Sequence, residues 1–256
     1  MSASPDVRTA VVLAAGRGSR LGALTADMPK PLITIGRRPL IAHILDGLIR
    51  AGIEQVAVVT GHHAGMLEAE LGNGAGSGVD ITYLHQEQLD GTARAVALAR
   101  ELVGGHRFFF AWGDILVRPE NYLAVLRASR LADGAIAVNP MDDPAAGAAV
   151  FTDPPLPWPP AAEMPAALLT GIIEKPGAGE PSTHWNNAGF GVLGPGIFDA
   201  IGALQPSPRG EYELTAAIDA LVRLGQRIRA VPVEGPWFDI GTPASLEAAR
   251  AALSSP

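Results

Sequence analysis

Of the 19 basic side chains in this 256-residue chain, 17 are arginine and only Lys30 and Lys175 are lysine. Codon composition is the plain cause of such a bias. Yet where nearly every basic position reads Arg, the two that stay Lys are candidates for a site in which a compact ammonium fits phosphate and a planar guanidinium does not. Lys30 ends a glycine-rich stretch that opens at Leu13, Ala14, Ala15 and Gly16, continues through Gly18, Ser19 and Arg20, and closes at Pro29-Lys30-Pro31. Two glycines let the backbone approach a polyanion closely, so that N–H groups point at phosphate oxygens. A tight turn after a strand is the alternative for the glycine pair alone. The stretch lacks the Gly-Lys-Ser/Thr of a P-loop. Its third glycine, Gly22, is displaced from a dinucleotide fingerprint.

Three further segments carry possible chemistry. Asp114, after Gly113, follows an apolar run; a carboxylate at the end of a parallel strand suits Mg²⁺, which takes one or two carboxylates and completes its shell with phosphate oxygens. A Gly-Asp turn is the alternative. Glu174 and Lys175 pair a group that can hold hydroxyls with one that can hold phosphate; a solvated charge pair before Pro176 is the alternative. Asp239, in Trp237-Phe238-Asp239, is a possible second metal ligand or part of a helix entry. His62 and His63 are adjacent, and neighbours on an extended chain point to opposite faces. They are expected to be structural or exposed.

The elements that must position these groups follow from periodicity. Strands are expected at Arg8–Leu13, Gln55–Thr60, Val79–Leu84, Arg107–Trp112 and Gly134–Asn139, and helices at Pro39–Ala51, His63–Leu71, Gly91–Val103 and Pro119–Leu131. Thr92 or Asp90 is a possible cap for the third helix. Alternation of this kind is the signature of a parallel sheet with helices on both faces. Beyond it, strands are expected near Ala148–Phe151, Leu168–Glu174, Asn187–Leu193 and Ile228–Val233, with helices at Pro195–Ile201, Tyr212–Leu224 and Thr242–Leu253. The segment Asp153–Pro165 holds six prolines in thirteen residues and reads as a surface loop, a lid or an ordered Ω-loop.

Composition narrows the function classes. The net charge of −7 argues against nonspecific nucleic-acid binding and requires any phosphate site to gather its own cations. There is no cysteine, which removes disulfides, zinc–thiolate sites and cysteine nucleophiles. No apolar run approaches the ~18 residues of a membrane span, and the start lacks the pattern of a signal peptide. A soluble, cytoplasmic protein without a membrane partner is expected.

Taken together and in this order, the segments resemble the sugar-1-phosphate nucleotidylyltransferase family over about residues 8–252. The carrying signature is Gly16-Arg17-Gly18-Ser19-Arg20, Thr25 and Pro29-Lys30; Ala23 stands where the family commonly has proline. The resemblance implies one α/β domain over 1–256, Rossmann-like, with a mixed, mainly parallel sheet. Its nucleotide-binding half would be about 1–118 and its sugar-phosphate half about 119–256. It implies Mg²⁺-dependent transfer of a nucleotidyl group from a nucleoside triphosphate to a sugar 1-phosphate, releasing pyrophosphate. Arg20 and Lys30 would hold the triphosphate, on a loop formed by Leu13, Ala14, Ala15, Gly16, Gly18 and Ser19. Gln86, Gly91 and Thr92 would recognise the base, Asp114 and Asp239 would bind Mg²⁺, and Glu174 and Asn187 would hold sugar hydroxyls. Gly171 would lie against the sugar and Lys175 would bind its phosphate.

A glutamine offers donor and acceptor together, which suits the O4/N3 edge of uracil or thymine, so UTP or dTTP is favoured. Two alternatives stand beside this reading. One is a cytidylyl- or guanylyltransferase acting on a cyclitol, heptose or alcohol phosphate; the other is a catalytically silent regulatory protein. The family's longer members append a β-helix, which is not expected here, and a monomer or small homo-oligomer is.

Overall fold

The computed structural model describes residues 7–16, 18–143, 145–161 and 164–254. The chain begins with β1 (Thr9–Leu13), whose Ala10, Val11 and Val12 are fully buried. A strand buried on both faces belongs at the centre of a sheet. A small hairpin follows, β2 (Thr34–Ile35) and β3 (Arg38–Pro39), and leads into helix α1 (Leu40–Arg50). Leu40, Ile41, Ile44, Leu45 and Leu48 form the buried stripe of α1, each contributing about 1.5–3 kcal/mol on burial. Then come β4 (Gln55–Thr60), α2 (Ala64–Leu71), β5 (Asp80–His85), α3 (Thr92–Ala97), α4 (Arg100–Val103) and β6 (Phe108–Trp112).

β5, β4, β1 and β6 lie side by side in that order, all parallel. The chain winds outward from β1 to β5 and then returns to the other side of β1. The strand order therefore reverses between β1 and β6, and the crevice at their C-terminal ends is where open sheets of this kind bind ligands.

The later elements are β7 (Ile115–Val117), α5 (Glu120–Ser129), β8 (Gly134–Pro140), β9 (Ala148–Asp153), β10 (Ala167–Glu174), β11 (Trp185–Leu193), α6 (Ile197–Ala203), α7 (Leu214–Arg223), β12 (Ile228–Pro232), β13 (Trp237–Asp239) and α8 (Pro243–Ser254). They extend the sheet to nine strands in the order β5-β4-β1-β6-β11-β8-β12-β10-β9. β11 and β10 run against the other seven. β9 also pairs with the start of β11 at Asn186↔Ala149, so the far edge of the sheet curls back towards the crevice.

Helices cover both faces. α1, α5 and α8 pack over one cluster that includes Phe109, Phe190 and Ile240. α3, α6 and α7 pack over the other, around Phe108, Phe110 and Ile136. Among the described residues no helix is long and apolar enough to cross a membrane.

Several local expectations are corrected. The stretch 91–103 forms two short helices, not one. Neither Asp90 nor Thr92 caps α3, whose cap residue is Gly91; the Thr92 hydroxyl instead accepts from Leu214 N (3.0 Å) at the start of α7. The rings of His62 and His63 do not diverge: their centroids lie 3.8 Å apart, because His63 adopts a left-handed φ of 62°. The proline-rich segment is pinned where it is described. Trp158 stacks on His184 at 4.0 Å, and Trp185 Nε1 donates to Pro157 O (3.1 Å).

Candidate active site

One cavity of about 730 Å³ occupies the crevice beyond β1 and β6, and its lining includes Gln86 and Glu174. Gly113 makes the switch point tight. Its N–H donates to Leu13 O (2.8 Å), and a Cβ there would stand 2.8 Å from the same oxygen, so a side chain would force β1 and β6 apart.

The loop after β1 is ordered by short-range bonds. Gly18 is left-handed (φ 64°), and Ser19–Thr25 form a 3₁₀ turn broken at Gly22. Thr25 Oγ1 donates back to Gly18 O (2.9 Å). Pro29 is extended and feeds Lys30 into a second 3₁₀ turn. Lys30 thereby enters the crevice almost fully buried, at 6% exposure. Arg17 lies outside the described residues. Gly16, Arg20 and Lys30 line the cavity, as do Leu13, Ala14 and Ala15; Gly18 does not, so it serves the shape of the loop, and the Ser19 side chain lies outside the described residues.

β7 and β13 form an antiparallel ribbon in which Asp239 pairs with Ile115, and Ile240 N donates to Asp114 O (2.9 Å). This ribbon brings Asp114 and Asp239 to one place. Lys30 Nζ lies 2.6 Å from Asp114 Oδ2 and 3.5 Å from Asp239 Oδ1, and Arg20 Nη2 is 3.9 Å from Asp239 Oδ2. Burial first, and the charge of Asp114 second, push the Asp239 carboxyl above the usual carboxylate range, against the pull of Lys30 and Arg20. Both carboxylates thus face the Lys30 ammonium in a half-buried pocket. Among the described residues there is no group of three or more His, Cys, Asp or Glu that could cage a metal.

Also in the cavity lining, Gln86 directly follows β5, with its N–H on Thr60 O. Its Nε2 donates to Gly91 O (3.2 Å) and Asp90 Oδ1 (3.4 Å). Both partners are acceptors, which fixes the amide orientation and leaves Oε1 as the atom to present. Gly91 has φ 123° and sits against Tyr212; a Cβ there would come 2.4 Å from Tyr212 O. Tyr212 N donates to Asp90 O (2.7 Å) and Tyr212 O accepts from Ala93 N (2.9 Å). This lacing carries the segment before α7 into the cavity.

Glu174 Oε2 accepts from Thr215 Oγ1 (3.0 Å) and Oε1 lies 3.5 Å from Arg209 Nη2. Lys175 adopts φ 44°, a strained left-handed conformation for a non-glycine residue, while its N–H donates to Gly147 O (3.1 Å). Asn187 is 5% exposed; its Oδ1 accepts from Gly189 N (3.2 Å) and its Nδ2 has no protein partner. Gly171 is not part of this set. It lies outside the cavity lining, and a Cβ there would meet Asp219 and Phe151. The sheet explains this: along β10, Gly171 is three residues from Glu174 and so takes the opposite face.

Sequence reasoning missed the run Arg209–Glu213. Arg209 bridges Glu174, Glu211 and Glu213. Burial lowers its pKa, but the three carboxylates outweigh that and the net shift is upward. Burial first, then Glu213, raises the Glu211 carboxyl above its ordinary 4.5, against the pull of Arg209 and Lys175. A dense charge run between Pro208 and a helix was the available signal. Gly147, Asn139, Asn186, Trp112 and Trp237 also line the cavity and carried no signal by type or spacing.

The nucleotidyl transferase family matches residues 9–255. The chain is similar to the UTP–glucose-1-phosphate uridylyltransferase AglF of Haloferax volcanii, at 34% identity over 95% of this chain and 96% of that one. It is also similar to a glucose-1-phosphate thymidylyltransferase of Streptomyces antibioticus, at 32% identity over 93% of this chain, which spans 64% of that relative's length. Its fold is that of a UDP-glucose pyrophosphorylase solved with UDP-glucose, with a TM-score of 0.84 at 21% identity over 96% of this chain and 98% of that one. A match along nearly the whole sequence, on a fold whose crevice gathers lysines, arginines and carboxylates, makes this chain a member of the nucleotidyl transferase family.

Proposed function

We propose that this chain transfers a nucleotidyl group from UTP or dTTP to a sugar 1-phosphate, giving a nucleotide sugar and pyrophosphate. The observation that carries the proposal is that one cavity is lined by three sets of groups: Gln86 and Gly91; Lys30, Asp114, Asp239 and Arg20; and Glu174, Lys175 and Asn187. The names of the relatives support the same class of substrates.

The nucleophile is the acceptor's own phosphate oxygen, already anionic at neutral pH, so no serine, cysteine or general base is required. What remains is alignment and charge neutralisation. Lys175 would hold the acceptor phosphate. Glu174 and the Nδ2 of Asn187 would take sugar hydroxyls. Lys30 and Arg20 would face the α-phosphate, where negative charge accumulates, and the backbone of Leu13–Gly16 would follow the triphosphate. Gln86 Oε1 would accept from the ring N–H of uracil or thymine, and Thr92 would support that set by holding α7 in place.

Asp114 and Asp239 fit Mg²⁺: they provide two carboxylates at the end of the β7–β13 ribbon, with no third protein ligand among the described residues, and phosphate oxygens would complete such a shell. When bound there, Mg²⁺ supplies positive charge to the triphosphate and to the departing pyrophosphate. The test is Asp114→Asn. Its circular dichroism should match the wild type while pyrophosphate release falls at least a hundredfold; release at the wild-type rate would contradict the assignment.

A further inference from the structure

Asn139, Asn186 and Asn187 are 2%, 2% and 5% exposed and all line the cavity. Asn139 Oδ1, both Oδ1 and Nδ2 of Asn186, and Asn187 Nδ2 have no hydrogen-bond partner in the protein. Unpartnered buried amides cost folding free energy, so a chain that keeps four such atoms in one place is holding them for something else. Asn187 has a role in the proposed reaction. Asn139 and Asn186 do not.

Those two residues are direct partners in the β8–β11 register. Their side chains therefore stand side by side on one face of the sheet, while Asn187, the next residue along β11, takes the other face. The cavity lining includes all three, Asn139 and Asn186 from one face and Asn187 from the other. Gly147 makes room for this arrangement: a Cβ at 147 would come 2.7 Å from Asn186 Oδ1.

We propose that Asn139 and Asn186 form a second reader of the acceptor, binding ring hydroxyls other than those taken by Glu174 and Asn187. The free atoms are two acceptors, Asn139 Oδ1 and Asn186 Oδ1, and one donor, Asn186 Nδ2. A hydroxyl both donates and accepts, and so matches this set. An alkyl group would leave all three atoms without partners. A carboxylate would bring acceptors only, into a site already holding Glu174, Glu211 and Glu213. The acceptor is therefore a densely hydroxylated ring with no charge beyond its phosphate, neither a uronate nor a simple alcohol phosphate. The assignment rests on the proposed function and specifies its substrate class.

The experiment compares the whole chain with Asn139→Ala, Asn186→Ala and Gly147→Ala variants. Substrates are UTP with glucose 1-phosphate and with its 2-, 3-, 4- and 6-deoxy analogues. Wild-type kcat/KM should fall about a hundredfold or more on at least one analogue, since a site built to bind a hydroxyl rejects the analogue lacking it. Asn139→Ala and Asn186→Ala should lose a similar factor on glucose 1-phosphate and little more on that analogue, so the discrimination disappears. Gly147→Ala should reproduce the Asn186→Ala pattern. The KM for UTP should stay at its wild-type value, and the thermal midpoints of the asparagine variants should be unchanged or higher. Variants that keep the wild-type pattern across the panel would overturn the proposal. So would a lower thermal midpoint with equal losses on every sugar, the mark of a purely structural asparagine. A wild-type enzyme that turns over none of glucose, galactose, mannose or N-acetylglucosamine 1-phosphate with any nucleoside triphosphate would sink the proposed function itself, and this assignment with it.

Discussion

Lys30 shows how a single side chain couples folding to the proposed reaction. It is buried against two carboxylates that come from strand ends 125 positions apart in the chain. Its slot admits an ammonium. Lys30→Ala should lower kcat/KM a hundred- to a thousandfold, about 3 to 4 kcal/mol of transition-state stabilisation. Lys30→Arg should lose nearly as much, because a planar guanidinium cannot enter a site that leaves 6% of the residue exposed; steady-state kinetics with an arginine variant close to wild type would refute this. Glu211 gives a stability prediction. Its carboxyl is held above 4.5 in the folded chain, so through that window the folded state keeps a proton that the unfolded state has released. Stability then falls as pH rises from about 4.5 towards the raised value. Glu211→Gln removes that titration. Its thermal midpoint should gain on the wild type across the window and hold a constant advantage above it; a difference independent of pH would contradict the shift.

At the scale of elements, the cavity is assembled by short connections that carry little signal of their own. The β7–β13 ribbon is three residues long on each side, yet it alone sets Asp239 beside Asp114. The braid between 90–93 and Tyr212 does the same for Arg209–Glu213. Gly91→Ala should break that braid. A Cβ 2.4 Å from Tyr212 O, on a backbone with φ 123°, must displace backbone, and a loss of several kcal/mol is expected. Thr92→Val keeps the shape and removes the bond to Leu214 N, so it should cost about 1 kcal/mol and raise the KM for the nucleotide less than Gly91→Ala does. Chemical denaturation of the two variants checks both figures, and equal stabilities would contradict them. These contacts explain what was and was not legible in the sequence. Leu13–Lys30, Asp114 and Glu174-Lys175 announced themselves because loop chemistry is local. Arg209, Gly147 and Asn186 did not, because their place depends on tertiary pairing: Asn186 matters only once β11 is laid against β8. Gly171 is different: it stands three residues before Glu174 on an unbroken stretch of β10 and so takes the opposite face.

For the whole molecule, strand–helix alternation pointed to a parallel sheet with helices on both faces, and β5, β4, β1 and β6 form its parallel part. The reversed strands β11 and β10 left no such trace, because direction within a sheet is decided by long connections and not by composition. Both core clusters draw on the two halves of the chain: Val12, Phe190 and Ile240 belong to one, Ala57 and Ile218 to the other. A nucleotide half and an acceptor half joined in this way should unfold together. Differential scanning calorimetry should show one transition with equal van't Hoff and calorimetric enthalpies, and two separated transitions would mean that the halves are independent units. The central claim, that one crevice joins a nucleoside triphosphate to a sugar phosphate, is tested most directly by pyrophosphate release. ATP, CTP, GTP, UTP and dTTP would be crossed with glucose, galactose, mannose, N-acetylglucosamine and N-acetylmuramic acid 1-phosphates, each with and without Mg²⁺. The account predicts release from UTP or dTTP with at least one of these sugars, only when Mg²⁺ is present. Silence across every pair, or release that ignores the metal, would contradict it.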